Sequence, residues 1–290
     1  MHVVTTWGAA APFLIVPLQA SFGWRASFSV LAVMGVLWAA AWYAWYRDTP
    51  AEQPNITAAE VNDIGTGSSG SSHNLPWALA LRSANIWAIL VVAFCYVFGL
   101  YFFISWLHTF LVKGRGFSEA QLLLSTLPFV LGAFGNVCGG FASDALVKRL
   151  GLKSGRRAVG LLGLGTAALF TVATILTTNK TATLFFLGLV LAGITAQQSV
   201  IVTVVVDIAE KYVGGILGLT NTIANIGGFL FSVSFGYFVT LFASYDLALL
   251  PMAILLAIGA LSWLRIDATQ QLIPAEQAAT APQVGAFALS

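Results

Sequence analysis

The sequence predicts an all-α polytopic membrane protein with eight transmembrane helices, and three observations predict it. Of its 290 residues, 58% are hydrophobic and 8% charged, where a soluble domain carries about 25% charged residues. The mean hydropathy is +0.87. The apolar residues form uninterrupted runs of roughly the 20 residues that cross a hydrocarbon core about 30 Å thick. These runs are continuous and rich in Leu, Ala and Gly, without the alternation of barrel strands.

Taken in order, the runs are 3–20, 26–46, 85–112, 120–142, 158–177, 182–206, 213–242 and 246–264, each without a charge in its middle. The first is no secretory signal, because no Lys or Arg precedes Arg25 and because Pro12 and Pro17 interrupt it. The long connection 47–83 holds Pro50, Pro54 and the run Gly65-Thr-Gly-Ser-Ser-Gly-Ser-Ser72, the composition of a flexible linker. It divides the chain into 1–46 with two spans, a cytoplasmic linker 47–83, 84–265 with six spans, and a tail 266–290. Two spans followed by six look like a twelve-span transporter without its first four helices. Expressed alone, such a chain is expected to insert without moving substrate, or to self-associate so that its polar faces find partners.

With the first span entering from the cytoplasm, nine basic residues fall inside: Arg47, Arg82, Lys148, Arg149, Lys153, Arg156, Arg157, Lys211 and Arg265. Four fall outside: Arg25, Lys113, Arg115 and Lys180. The positive-inside rule then makes both termini cytoplasmic, and the sequons at Asn55 and Asn179 read as chance matches.

Several function classes fall away. A net charge of +2 with scattered basic residues excludes nucleic acid as a partner. Cys95 and Cys138 lie inside apolar runs, with no disulfide framework or zinc spacing. His2, His73 and His108 are far apart, with no acid at a matching depth, so neither a nucleophile–base pair nor a metal or cofactor centre is expected and the chain reads as no enzyme. His108 reads as an interfacial histidine and Trp106 as packing.

No ionisable residue sits mid-span; Asp207 and Glu210 beside Lys211 read as the end of the sixth run. Neutral polar groups do sit there: Tyr96, Tyr101, Asn136, Thr195, Gln197, Gln198, Asn221 and Asn225. An amide in hydrocarbon needs another helix, a water-filled cavity or a ligand, since leaving it unpaired costs roughly 1–3 kcal/mol. Asn221 and Asn225 share one face of one helix, with Gly218 a turn before them, and that face is either a cavity wall or a helix contact. Tyr101 lies too deep for an interfacial belt and suits a carboxylate or hydroxyl with its ring against a carbon chain. Gly132, Gly135, Gly139 and Gly140, and likewise Gly214 and Gly218, read as points of close helix approach. Asp144 precedes the basic Lys148, Arg149, Arg156 and Arg157, which can pair with it or with anionic headgroups.

Certain stretches carry a resemblance. Gly23-Trp24-Arg25, then Trp42 and Arg47-Asp48-Thr49-Pro50-Ala51-Glu52, with Asn55-Ile56-Thr57-Ala58-Ala59-Glu60 after them, form the first group. Trp106-Leu107, Phe110-Leu111 and Gly114-Arg115-Gly116-Phe117-Ser118 form the second. Gly139-Gly140-Phe141-Ala142-Ser143-Asp144 with Lys148-Arg149 is similar to a Gly-x-x-x-Asp loop motif, and Gly218, Asn221, Asn225, Gly227-Gly228 and Gly236 complete the set. Together they resemble the major facilitator superfamily and, within it, the anion:cation symporter family of organic-anion transporters. His108, Ala224 and Ser232 stand where that family usually has Pro, Gly and Pro.

The resemblance implies a major-facilitator-like bundle whose eight spans are equivalent to helices five to twelve, in a bacterial inner membrane. It implies a secondary active transporter that moves a small organic anion, such as a sugar acid or other carboxylate, by alternating access coupled to protons or sodium. Substrate would meet Tyr101, Gln197, Gln198, Asn221 and Asn225, while Asp144 and Arg149 would serve the inner gate. The other reading is a transport-inactive, transporter-like sensor or assembly subunit.

Overall fold

The computed structural model describes residues 11–47, 57, 77–118, 121, 124–209 and 212–272, which hold helices and connections and no strand. The Gly/Ser-rich linker, Asn55, His2, His73, Glu210, Lys211 and the tail beyond 272 lie outside them. The chain divides into two units, Val3–Asn74 and Leu75–Ser290 with Met1–His2.

In the first unit, α1 (Ala11–Trp45) breaks at Gly23, whose φ of 78° a side chain would resist. Beyond the break, Ser21–Trp45 is long and apolar enough to cross a membrane. Trp38, Trp42 and Tyr46 recur every four residues, and their rings stack in one column with centroids 6.1 and 4.9 Å apart. Arg47 ends the helix by donating to the carbonyls of Tyr43, Ala44 and Tyr46, the groups a C-terminus leaves unpaired.

In the second unit, α2 (Trp77–Arg82) leads into α3 (Ala84–Tyr101), where the Ser83 side chain accepts from the Ile86 amide as N-cap. The helix continues through π-helical turns, Phe102–Trp106 and Phe110–Gly114, to give an apolar stretch of 31 residues. Next, α4 (Thr126–Leu176) has 51 residues. A straight helix of that length would run about 76 Å, more than twice the hydrocarbon thickness. Gly151, with φ 80° and ψ 166°, folds it instead, and Gly155 rests against the backbone of Val147, so the limbs 126–150 and 152–176 double back as a hairpin. Completing the unit are α5 (Lys180–Ala209), α6 (Val213–Phe242) and the shorter α7 (Leu250–Ser262). Among the described residues, five helices are separately long and apolar enough to cross a membrane, against eight expected runs. Much of the difference lies in the two glycine breaks, each of which joins a pair of runs into one helix.

The second unit pairs α4 with α5 and α7, and α3 with α6 and α7. Between helices in lipid there is no water to expel, so close backbone approach and interhelical hydrogen bonds carry the packing. A Cβ at Gly135 or Gly139 would overlap the backbone of Ala192 or Ala196, and Gly163 and Gly193 face each other in the same way. Asn136 donates to the Thr195 carbonyl at 3.4 Å and Thr195 to the Gly132 carbonyl at 2.6 Å, so both are α4–α5 contacts. Across to α6, Phe98 and Phe102 interleave with Phe231 and Phe235 at centroid distances of 5.0 to 6.2 Å. Gly140, Gly214 and Gly218 correct the reading of close approach: all three are open, with no neighbour among the described residues where a Cβ would stand.

Charged clasps hold both ends of this unit. At one end the buried Arg115 donates to the Thr174 and Thr177 carbonyls and pairs with Asp246 at 2.9 Å, tying the ends of α3, α4 and α6. Burial pushes the Asp246 carboxyl up against the opposing pull of Arg115, and the Arg115 guanidinium is itself lowered by burial. At the other end, residues 263–272 fold back as a strap. Asn85 exchanges two hydrogen bonds with the Asp267 backbone, Lys153 pairs with the Asp267 carboxylate, Arg157 donates to the Ile266 carbonyl, and the Leu272 amide donates to Ile208. Burial raises the Asp267 carboxyl, but Lys153 and Thr269 outweigh it and hold the group down at about 2.

Candidate functional site

The exposed surface of α6 has two unlike sectors. At 3.6 residues per turn, Gly214, Gly218, Asn221, Asn225 and Ser232 fall in one sector about 60° wide, and Ile226, Leu230, Val233 and Tyr237 fall in the next. The second sector is apolar and open, with exposures of 43 to 65%, and suits acyl chains. The first is small and polar, with Asn221 and Asn225 exposed. Hydrocarbon would leave the side-chain N–H groups of Asn221 unpaired, so this sector suits water, a solute or another protein surface.

Tyr101 joins the polar sector from α3. Its ring lies on Gly228, where any Cβ would collide with it. Its hydroxyl donates to Asn225 Oδ1 at 3.3 Å, and Asn225 Nδ2 donates to the Asn221 carbonyl at 2.8 Å and to Asn221 Oδ1 at 3.2 Å. The row is polarised. Each donor is spent on the next acceptor, leaving the Tyr101 oxygen with lone pairs at one end and the Asn221 amide with N–H groups at the other. Tyr101 is also the last α-helical residue before the π-helical turn Phe102–Trp106, a distortion common at functional sites.

Three of the expected site residues, Tyr101, Asn221 and Asn225, thus come together. Gln197 is placed elsewhere. It is fully buried between α5 and the second limb of α4, its Cβ and amide facing Gly163, and neither side-chain amide atom finds a partner among the described residues. Gln198 is half-buried on the same helix, and no hydrogen bond links either glutamine to the row among the described residues.

The gating residues also separate. Asp144 is exposed and lies 3.5 Å from Arg156, whose Nε is 3.6 Å from Asp207 and whose Nη1 donates to Ser143 at 2.7 Å. The two carboxylate contacts are longer than the 2.7–2.9 Å of a strong charge-assisted bond. This is a loose latch between both limbs of α4 and the end of α5. Arg149 is exposed, with no ion pair among the described residues, and it is the buried Arg156 that lies beside Asp144. Asp207 lies in the last turn of α5, as expected, and there also faces Arg156. The sequence reading also passed over Ser105 and Ser232. Ser232 was findable, lying seven residues beyond Asn225 on the same face, two turns along.

Comparison with known proteins follows the same lines. A sequence profile described as Major Facilitator Superfamily matches residues 3–154, more than half of the chain. A probable sulfoacetate transporter of Cupriavidus necator is 32% identical over 90% of this chain and 61% of its own length. A hexuronate transporter of Bacillus subtilis is 26% identical over 80% of this chain and 55% of its own, and a probable chloroplastic anion transporter of Oryza sativa is 29% identical over 91% and 44%. The chain therefore spans about half to three-fifths of these relatives' lengths. Those names describe transport and no catalysis, and the matched profile covers both the first unit and the first limb of α4. The chain belongs to the Major Facilitator Superfamily of membrane transport proteins and is not an enzyme.

Proposed function

We propose that the chain forms part of a secondary active transporter for a small organic anion, a sugar acid or another carboxylate, driven by a proton or sodium gradient. The observation that carries this reading is the row Tyr101–Asn225–Asn221, a hydrogen-bonded polar face left open beside an apolar one on the same helix. Such a face suits one wall of a central cavity. The names of the relatives supply the class of solute: sulfoacetate, hexuronate and anions.

In this reading the eight apolar runs are eight crossings equivalent to helices five to twelve, α4 supplying two of them around Gly151, with both termini on the cytoplasmic side of a bacterial inner membrane. The second unit, clasped at both ends, moves as one body during alternating access. The Arg156 latch, with Asp144 and Asp207, lies at its cytoplasmic end and breaks when that side opens, Arg149 meeting headgroups or Asp144 in the other state. Its carboxylate contacts, at 3.5 and 3.6 Å, are longer than strong charge-assisted bonds, which suits a contact that must break repeatedly.

Uptake of radiolabelled sugar acids under an imposed proton or sodium gradient, into proteoliposomes holding a twelve-span protein that contains this chain, tests the proposal. Gradient-driven uptake that Tyr101→Phe and Asn225→Ala each reduce about tenfold, the loss of roughly one hydrogen bond, with unchanged melting temperature, supports both transport and site. Uptake indifferent to both substitutions removes the site, and no uptake of any organic anion favours the sensor or assembly role.

A further inference from the structure

Two pairs of neighbouring residues carry both the latch and the strap. Arg156 and Arg157 are adjacent on the second limb of α4, and Asp207 and Ile208 are adjacent in the last turn of α5. Arg156 Nε lies 3.6 Å from Asp207, while Arg157 Nε donates to the Ile266 carbonyl of the strap at 2.5 Å. The Ile208 carbonyl, one of those that a helix end leaves without an internal partner, accepts from the Leu272 amide at 3.0 Å. The segment from Ile266 to Leu272 therefore joins the same two stretches of backbone as the Arg156–Asp207 contact. The two ties are unequal. Both carboxylate contacts of the latch are long, and the Asp144 side chain is 71% exposed. The strap is bound closely: Asn85 donates to the Asp267 carbonyl at 2.8 Å and accepts from the Asp267 amide at 3.0 Å, and Lys153 lies 2.5 Å from the Asp267 carboxylate. That carboxylate also accepts from the Thr269 amide and hydroxyl at 3.1 and 2.6 Å. Just upstream, Trp263 is fully buried with its ring on Gly160, where any Cβ would overlap it.

We infer that the strap holds the latch: residues 263–272 fix the end of α5 against the second limb of α4, and this hold keeps Asp207 within reach of Arg156. Asp267 and Lys153 are then positioning residues for the inner gate. Among the described residues they bond to neither Arg156 nor Asp207, and they act through the backbone of Ile266 and Ile208. The inference rests on the transport reading in calling the latch a gate, and it adds an order of dependence. Releasing the strap frees the end of α5 and so unlatches Asp207, whereas breaking the ion pair leaves the strap in place, so the latch can open and re-form without losing its register. The difference in bond lengths sets that order, because the closely bound tie governs the position of the loose one. A strap that served stability alone would not need to meet the residue beside each partner of the Arg156–Asp207 contact.

Hydrogen exchange of the purified, folded chain, read by mass spectrometry, tests that order. Asp267→Asn and Lys153→Met should each speed exchange about tenfold or more, the loss of one charge-assisted hydrogen bond, and should do so together in 263–272 and in 204–209. Lys153→Arg, which keeps the cation, should retain the parent pattern. Asp207→Asn should loosen 204–209 at most and leave 263–272 within about twofold of the parent. Faster exchange in 263–272 with 204–209 still protected would overturn the inference, since the strap would then be a passive cap. Equal loosening of the strap by Asp207→Asn would overturn it too, as would indifference of both segments to both strap variants. The readout needs no substrate, so an absence of transport by a twelve-span protein containing this chain would remove the gate and leave the hold of the strap on α5 standing.

Discussion

Gln197 and Asn225 are both amides on membrane-spanning helices, and the bundle treats them oppositely. Asn225 is open and linked on both sides, whereas Gln197 is sealed with both polar atoms idle. A buried unpaired amide costs about 1–3 kcal/mol, so Gln197→Leu, close in volume and without the polar atoms, should raise the melting temperature in detergent. A fall instead would show that the amide has a partner in the native membrane state. Arg115 has the reverse logic. Its planar fork serves two carbonyls and one carboxylate at once, a task that the single ammonium of lysine cannot repeat. Arg115→Lys should therefore lower the melting temperature, and Arg115→Ala, which leaves Asp246 without its cation, should cost more, about 3–5 kcal/mol. Asp267→Asn should destabilise at neutral pH. Because the Asp267 carboxyl is held down at about 2, its contribution is present above the ordinary carboxylate value of about 3.9 and is lost only as pH falls through about 2; variant and parent should converge in that window, as thermal unfolding across pH would reveal.

The helices themselves were largely legible, because apolar run length is a property of the chain alone. Contacts between them were not. Nothing in the spacing tells Gly135, pressed on Ala192, from Gly140, open to its surroundings; which side of α4 meets α5 is decided by the whole bundle. Gly135→Ala should therefore cost about 1–3 kcal/mol through overpacking, and Gly140→Ala should be neutral or slightly stabilising, a difference that paired melting curves measure. The same limit explains the latch: Arg149 and Arg156 flank one basic turn, and only the folded hairpin brings Arg156 back beside Ser143. The Asn221–Asn225 pair was readable because i to i+4 stacking is local, while Tyr101 over Gly228 joins helices more than a hundred residues apart in sequence.

Across the whole molecule, the clasps give the second unit two distinguishable ends, with Ser118 exposed near the Arg115 clasp and Gln270 exposed near the strap. In the proposed topology, which follows the nine-to-four bias of basic residues, the first end faces outside and the second the cytoplasm. Single cysteines at those two positions, in a background free of Cys95 and Cys138, should differ in intact cells: an impermeant thiol reagent should label position 118 and spare position 270, and the reverse pattern would invert the topology. The one-residue reversal at Gly151 also bears on how this molecule is made. In the proposed topology, where the two limbs of α4 are two crossings, a connection with no loop leaves no tether between them, so they should enter the bilayer together. It also leaves a protease no extended backbone to grip, so the bend should stay uncut at protease concentrations that sever longer connections. In that topology an error in biogenesis at this point should misplace both limbs together and leave the helices after them in their intended orientation.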